Sequence, residues 1–76
     1  GKVYIGMPEG ILTAYKTFET DGSRYQMYKY NGPYRDLVGT YKQYIPSYAL
    51  RLVNLLGKVF PRIVKVRNGK VTNVIY

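Results

Sequence analysis

Apolar and polar positions alternate along the chain so as to predict several short strands, a helical stretch and a closing hairpin. Lys2 to Ile5 predicts a short strand, ended by Gly6-Met7-Pro8-Glu9-Gly10. Ile11 to Thr20 and Arg24 to Asn31 are rich in Tyr, Thr and Phe. Asp21-Gly22 between them is a hairpin signal, because both turn positions of the favoured tight turn need positive φ. A turn centred there pairs Glu19 with Arg24, Thr17 with Gln26, Tyr15 with Tyr28 and Thr13 with Tyr30 on one face. The other face pairs Phe18 with Tyr25, Lys16 with Met27 and Ala14 with Lys29. Its Leu12, Ala14, Phe18, Tyr25 and Met27 make the better core. Tyr15, Tyr28 and Tyr30 are then left on the outer face, beside Thr17, Arg24 and Gln26.

Leu37, Val38, Tyr41, Tyr44 and Ile45 fall at helical spacing, with Pro33 suited to a first turn and Pro46 to a stop, so the pattern predicts a helix over 33–45. Gly39 and the Thr40, Tyr41, Tyr44 and Ile45 content compete for a strand there. A second helix is expected from Ser47 to about Gly57, capped by Ser47 and ended by Gly57. Ser47, Arg51, Asn54 and Lys58 line its polar side, and Tyr48, Leu52, Val53, Leu55 and Leu56 form a broad core face. A membrane-surface helix is the sharper alternative, but Arg51 and Lys58 alone supply its cations. Pro61 to Arg67 and Lys70 to Tyr76 flank Asn68-Gly69, a second tight-turn signal. Val64, Val66, Val71 and Ile75 are expected on one face with Asn73, and Lys65, Arg67, Lys70 and Thr72 on the other. The fold class expected is α+β, a small antiparallel sheet with one or two short helices before a C-terminal β-hairpin, in a single small basic domain over 1–76.

Composition changes this picture in three ways. Cysteine and histidine are both absent, which excludes disulfides and thiolate chemistry and removes the usual general base and the commonest metal ligand. Glu9, Glu19, Asp21 and Asp36 are the whole carboxylate set, too few and too scattered for a metal site or an acid–base pair, so neither metal nor cofactor is expected. Twelve Lys/Arg against four Asp/Glu leave a net charge of +8, which attracts polyanions: nucleic acid, anionic lipid or an acidic protein surface. No apolar run approaches the roughly 20 residues of a membrane span, and the chain reads as a soluble, cytoplasmic or otherwise intracellular protein with no membrane partner.

Ten tyrosines, with no tryptophan and only two phenylalanines, are the remaining signal. On a sheet interleaved with cations, tyrosine rings stack bases while Lys and Arg hold phosphates. The bland reading is that tyrosine fills strands and core, and it is the one adopted for Tyr41 and Tyr48. The expected function is a non-enzymatic nucleic-acid-binding module, single strands slightly favoured, with Tyr15, Arg24, Gln26, Tyr28 and Tyr30 on a sheet face and Lys65, Arg67 and Lys70 at the hairpin tip. The rival is a structural or inhibitory interaction domain that docks on an acidic partner or pairs with a second copy through a strand edge. A metal-free ribonuclease using Arg, Lys and Tyr ranks third, since proton removal without histidine needs a strongly shifted group.

Overall fold

The computed structural model describes residues 3–17 and 24–76. In chain order these form α1 (Glu9–Leu12), β1 (Tyr15–Thr17), β2 (Arg24–Gln26), β3 (Tyr28–Arg35), β4 (Thr40–Pro46), α2 (Tyr48–Asn54), β5 (Ile63–Arg67) and β6 (Lys70–Ile75). Strands β3-β4-β5-β6 make a four-stranded antiparallel sheet in that order, and β1-β2 a separate two-stranded one. This is the expected α+β class, with the C-terminal hairpin in place. Its elements before residue 47 differ from those the pattern predicts.

The helix expected over 33–45 is instead the β3–β4 hairpin. Asp36 closes it: its Oδ1 accepts from the amides of Val38 (2.9 Å) and Gly39 (3.2 Å), and its own amide donates to the Gly39 carbonyl (3.0 Å). Gly39 takes φ +141°, which side chains rarely adopt. Leu37 and Val38, two of the five residues of the apparent helical stripe, are therefore exposed turn residues. Pro33 is accommodated because β3 is an edge strand with a bulge between Tyr30 and Pro33, where a missing N–H breaks no ladder. The long strand expected over 24–31 is broken at Met27, so Tyr28 and Tyr30 pair with Pro46 and Tyr44 on β4 and not with Tyr15 and Thr13. The strand expected at 11–20 gives way to α1 followed by three-residue β1, and Ala14 is exposed outside the core. Strand β1 pairs Tyr15 with Gln26 and Thr17 with Arg24, two residues offset from the expected register. Asp21-Gly22, Phe18, Glu19 and Lys2 lie outside the described residues.

Asn68 (φ 52°) and Gly69 (φ 75°) form the β5–β6 turn with both positions left-handed, as that dipeptide demands. Register places Lys65 opposite Asn73 but Val66 opposite Val71, so Thr72 is an extra residue in β6. The bulge turns Val74 inward beside Val64, and Asn73 and Ile75 outward, reversing the assignment that strict alternation predicts for that end.

The core lies on one sheet face. Tyr28, Tyr44, Val64, Val66 and Val71 are covered there by Val3, Met7, Leu12 and Leu50. Residues 3–8 are not the expected strand. Gly6 donates to Val71 (2.8 Å), and Val71 donates back to Met7 (2.9 Å), which caps the start of the β6 edge. The β3 edge is blunted by its bulge and by Pro33. Ser47 caps α2 as expected, its Oγ accepting from the Leu50 amide (3.4 Å). The broad core face is not formed. Only Leu50 of α2 is buried, while Tyr48, Leu52, Val53, Leu55 and Leu56 are exposed, because the helix ends at Asn54 and docks by one side chain. No helix among the described residues is long and apolar enough to cross a membrane.

Candidate nucleic-acid interface

The outer face of the four-stranded sheet follows from register. Val64, Val66 and Tyr44 point into the core, so their neighbours Lys65, Arg67, Gln43 and Tyr41 point the other way. Tyr34 pairs with Tyr41, the β4–β5 register continues from Tyr41 to Arg67, and Arg67 pairs with Lys70. One row of this face therefore runs Tyr34, Tyr41, Arg67, Lys70 across four strands. Gln43, Lys65 and Asn73 form the next row, and Lys29 faces Ile45 beyond it.

Around Tyr41 the packing is dense. Its ring stacks on Tyr34 (centroids 6.2 Å, planes 27° apart), with Lys65 Nζ at 4.6 Å and the Arg67 guanidinium carbon at 4.9 Å from its centroid. Tyr41 is thus buried, as expected, but by its own neighbours on the outer face and outside the main core. Lys65 (3.2 Å) and Arg67 both donate to Asp36 Oδ2, and Arg67 also donates to the Gly39 carbonyl (3.0 Å). Loss of solvent pushes the Asp36 carboxyl up. The Val38 and Gly39 amides, Lys65 and the charge of Arg67 outweigh that and hold it at about 2. A carboxyl lowered in the folded state stabilises the turn above its ordinary value of 3.8 and loses that contribution as pH falls through about 2. The Val38 and Gly39 amide NMR shifts should therefore stay constant down to about pH 4 and move only below it; a midpoint at the ordinary value would show an unpaired carboxyl.

The residues expected to bind divide between the two faces. Tyr28 is core and not a stacking ring: it is 1% exposed, and its hydroxyl donates to the Pro61 carbonyl at 2.8 Å. Burial pushes that hydroxyl far above its usual range. Tyr30 is 51% exposed but on the inner side of β3, its ring 5.7 Å from Tyr44. Tyr44 donates to Glu9, which Lys42 also contacts (3.2 Å). The Tyr44 bond lowers the Glu9 carboxyl, helped by Lys42 against desolvation, and burial and Glu9 raise the Tyr44 hydroxyl. Tyr30 and Arg67 do meet in a cleft of about 380 Å³ at the tip end of the sheet, with Lys42 and Gly69 on its wall. Gln26 donates to the Thr13 carbonyl (3.2 Å). The backbone pairs Tyr15 with Gln26 and Thr17 with Arg24, and the side chains of Tyr15, Thr17 and Arg24 are not described. Lys65 and Arg67 are engaged with Asp36, and Lys70 is exposed at the tip.

Sequence reasoning missed Tyr34 and Asp36, both assigned to a helix. The available signal was Asp36 with Gly39 three residues on, the first and fourth positions of a common β-turn. Among the described residues no group of three metal-ligating side chains comes together. No protein-family model, curated protein or solved structure matches the chain.

Proposed function

We propose that the chain is a non-enzymatic nucleic-acid-binding module that takes single strands across the outer face of its sheet. The observation that carries this reading is the cross-strand row of Tyr34, Tyr41, Arg67 and Lys70, with Lys65 in the next row. Tyr34 is 45% exposed while stacked on Tyr41, so part of its ring is open to a base. Tyr41 holds Lys65 and Arg67 over its ring, so these cations stand at fixed positions with little side-chain entropy left to lose on meeting phosphate. Strands β4 to β6 carry Lys42, Lys65, Arg67 and Lys70 and no Asp/Glu; the last three stand on the outer face, where Asp36 pairs Lys65 and Arg67 and Lys70 stays exposed. Glu9 shifts down and Tyr28 and Tyr44 shift up, each away from neutrality, the opposite of what proton transfer at neutral pH requires.

Anisotropy titration of labelled single-stranded DNA, single-stranded RNA and duplex at several salt concentrations tests the proposal. With three to five cations on phosphate, log K against log salt should slope at about −2 to −4, near −0.7 per contact on a single strand. A folded protein that ignores all three at low salt ends the proposal. Tyr34→Ala should weaken single-strand binding by about 1–3 kcal/mol, and Tyr34→Phe should cost far less because the ring remains. Equal losses in both variants would remove stacking from the mechanism.

A further inference from the structure

At the end of β4 opposite the Asp36 turn lies a second surface, unrelated to the row of tyrosines. A cleft of about 400 Å³ has Ile45, Pro46, Leu55 and Phe60 as its apolar lining. Its shape is fixed by hydrogen bonds. The Asn54 amide bonds Phe60 in both directions, donating to its carbonyl (2.8 Å) and accepting from its N–H (2.9 Å), which closes the 55–59 loop. Arg51 donates to the Pro46 carbonyl (3.1 Å) and stands at the rim with Lys58 and Arg62.

Around this cleft the chain exposes an unusual amount of apolar surface. Leu55 is 82% and Leu56 94% exposed, and Tyr48, Leu52 and Val59 are exposed nearby. Isolated apolar side chains on a surface need no explanation, but so many exposed on one short helix and the loop after it, beside a preformed cleft, mark a docking site. Charge selects the occupant. Three cations rim the cleft, Arg62 also donating to the Tyr76 carbonyl (3.0 Å), and the nearest side-chain carboxylate in sequence is Asp36 at the far end of β4. A second copy would bring the same cations and the same +8 against them. A bilayer offers a flat surface, whereas this cleft is recessed, and seven-residue α2 is short for an interfacial helix.

We propose that this cleft binds an acidic protein segment, which inserts one apolar side chain between Leu55 and Phe60 and lays carboxylates against Arg51, Lys58 and Arg62. The occupant is an amphipathic acidic helix or turn, read by one apolar anchor and a charged rim. This surface and the proposed nucleic-acid face sit at opposite ends of β4, so each stands or falls separately.

The test is an amide NMR titration of the whole chain with two synthetic amphipathic peptides, one with Leu and Trp opposite Glu, the other with Lys in place of every Glu. Saturable shifts at Ile45, Leu55, Lys58 and Phe60 with the acidic peptide are expected, and binding at least about ten-fold weaker with the basic one. Leu55→Gln and Lys58→Glu, both at exposed positions, should each weaken the acidic peptide about ten-fold with the spectrum still dispersed, and Tyr34→Ala should not. No saturation by about 1 mM peptide overturns the proposal, as does equal binding of both peptides. Two other outcomes also overturn it: co-sedimentation with phosphatidylserine vesicles that Leu55→Gln abolishes, and a dimer in sedimentation equilibrium that Leu56→Gln dissociates.

Discussion

Tyr28→Ala is expected to remove a large share of the stability of the domain. The ring is fully enclosed by the core, and its hydroxyl bonds the Pro61 carbonyl across 33 residues of sequence. Truncating a buried aromatic costs about 3–5 kcal/mol, transfer and cavity terms together. A domain of this length holds only about 4–11 kcal/mol in all. Tyr28→Phe keeps the packing and loses one bond, leaving a buried carbonyl unpaired at about 1–3 kcal/mol. Thermal unfolding should thus rank wild type above Phe above Ala, with Ala melting far below wild type. The folded fraction of either variant should bind single strands as wild type does. A Tyr28→Ala protein that melts normally but no longer binds would return this ring to the interface.

The fate of Tyr28 shows why the sheet was partly legible in sequence. Asn68-Gly69 names its own turn chemistry, and Val64, Val66 and Val71 name the buried face, so the last hairpin could be read directly. Asp21-Gly22 carries an equal local signal, but the pairing of Tyr28 and Tyr30 was decided elsewhere. Strand β4 supplies a longer partner, and Met27 bends the chain out of the first hairpin to reach it. Alternation is a local rule, and it also fails at Thr72, where one inserted residue exchanges the outward roles of Val74, Asn73 and Ile75. Helical spacing over 37–45 was coincidence: Leu37 and Val38 are turn residues, and Tyr41 and Tyr44 face opposite sides of the sheet.

Residue types were more legible than their arrangement. Tyr and Lys/Arg do converge on a sheet face, but the tyrosines are Tyr34 and Tyr41, while Lys65, Arg67 and Lys70 reach the same face from the C-terminal hairpin. That convergence depends on the β4–β5 pairing across α2, which no short window of sequence contains. The exposure of α2 was equally hidden. An apolar stripe states what a helix can bury, and only the tertiary structure shows that Leu50 alone is buried.

Asp36→Asn should strengthen nucleic-acid binding. Asp36 now engages both Lys65 and Arg67 while its other oxygen organises the turn through Val38 and Gly39. Asparagine keeps the oxygen that accepts those amides and loses the charge that holds the cations, so the hairpin should survive and the face become more positive. With no carboxylate competing for Lys65 and Arg67, their contacts to phosphate should strengthen and raise single-strand affinity about ten-fold at low salt. Glu9→Gln is the matched control, since Glu9 pairs Lys42 and Tyr44 on the inner side of the sheet and its loss changes net charge by the same amount. An equal gain from Glu9→Gln would mean that binding responds to overall charge and to no particular face. A gain confined to Asp36→Asn, lost again when Arg67→Ala is added, places phosphate beside Tyr41. If Asp36→Asn folds and binds no better than wild type, Lys65 and Arg67 serve the hairpin alone, and the outer face loses its role.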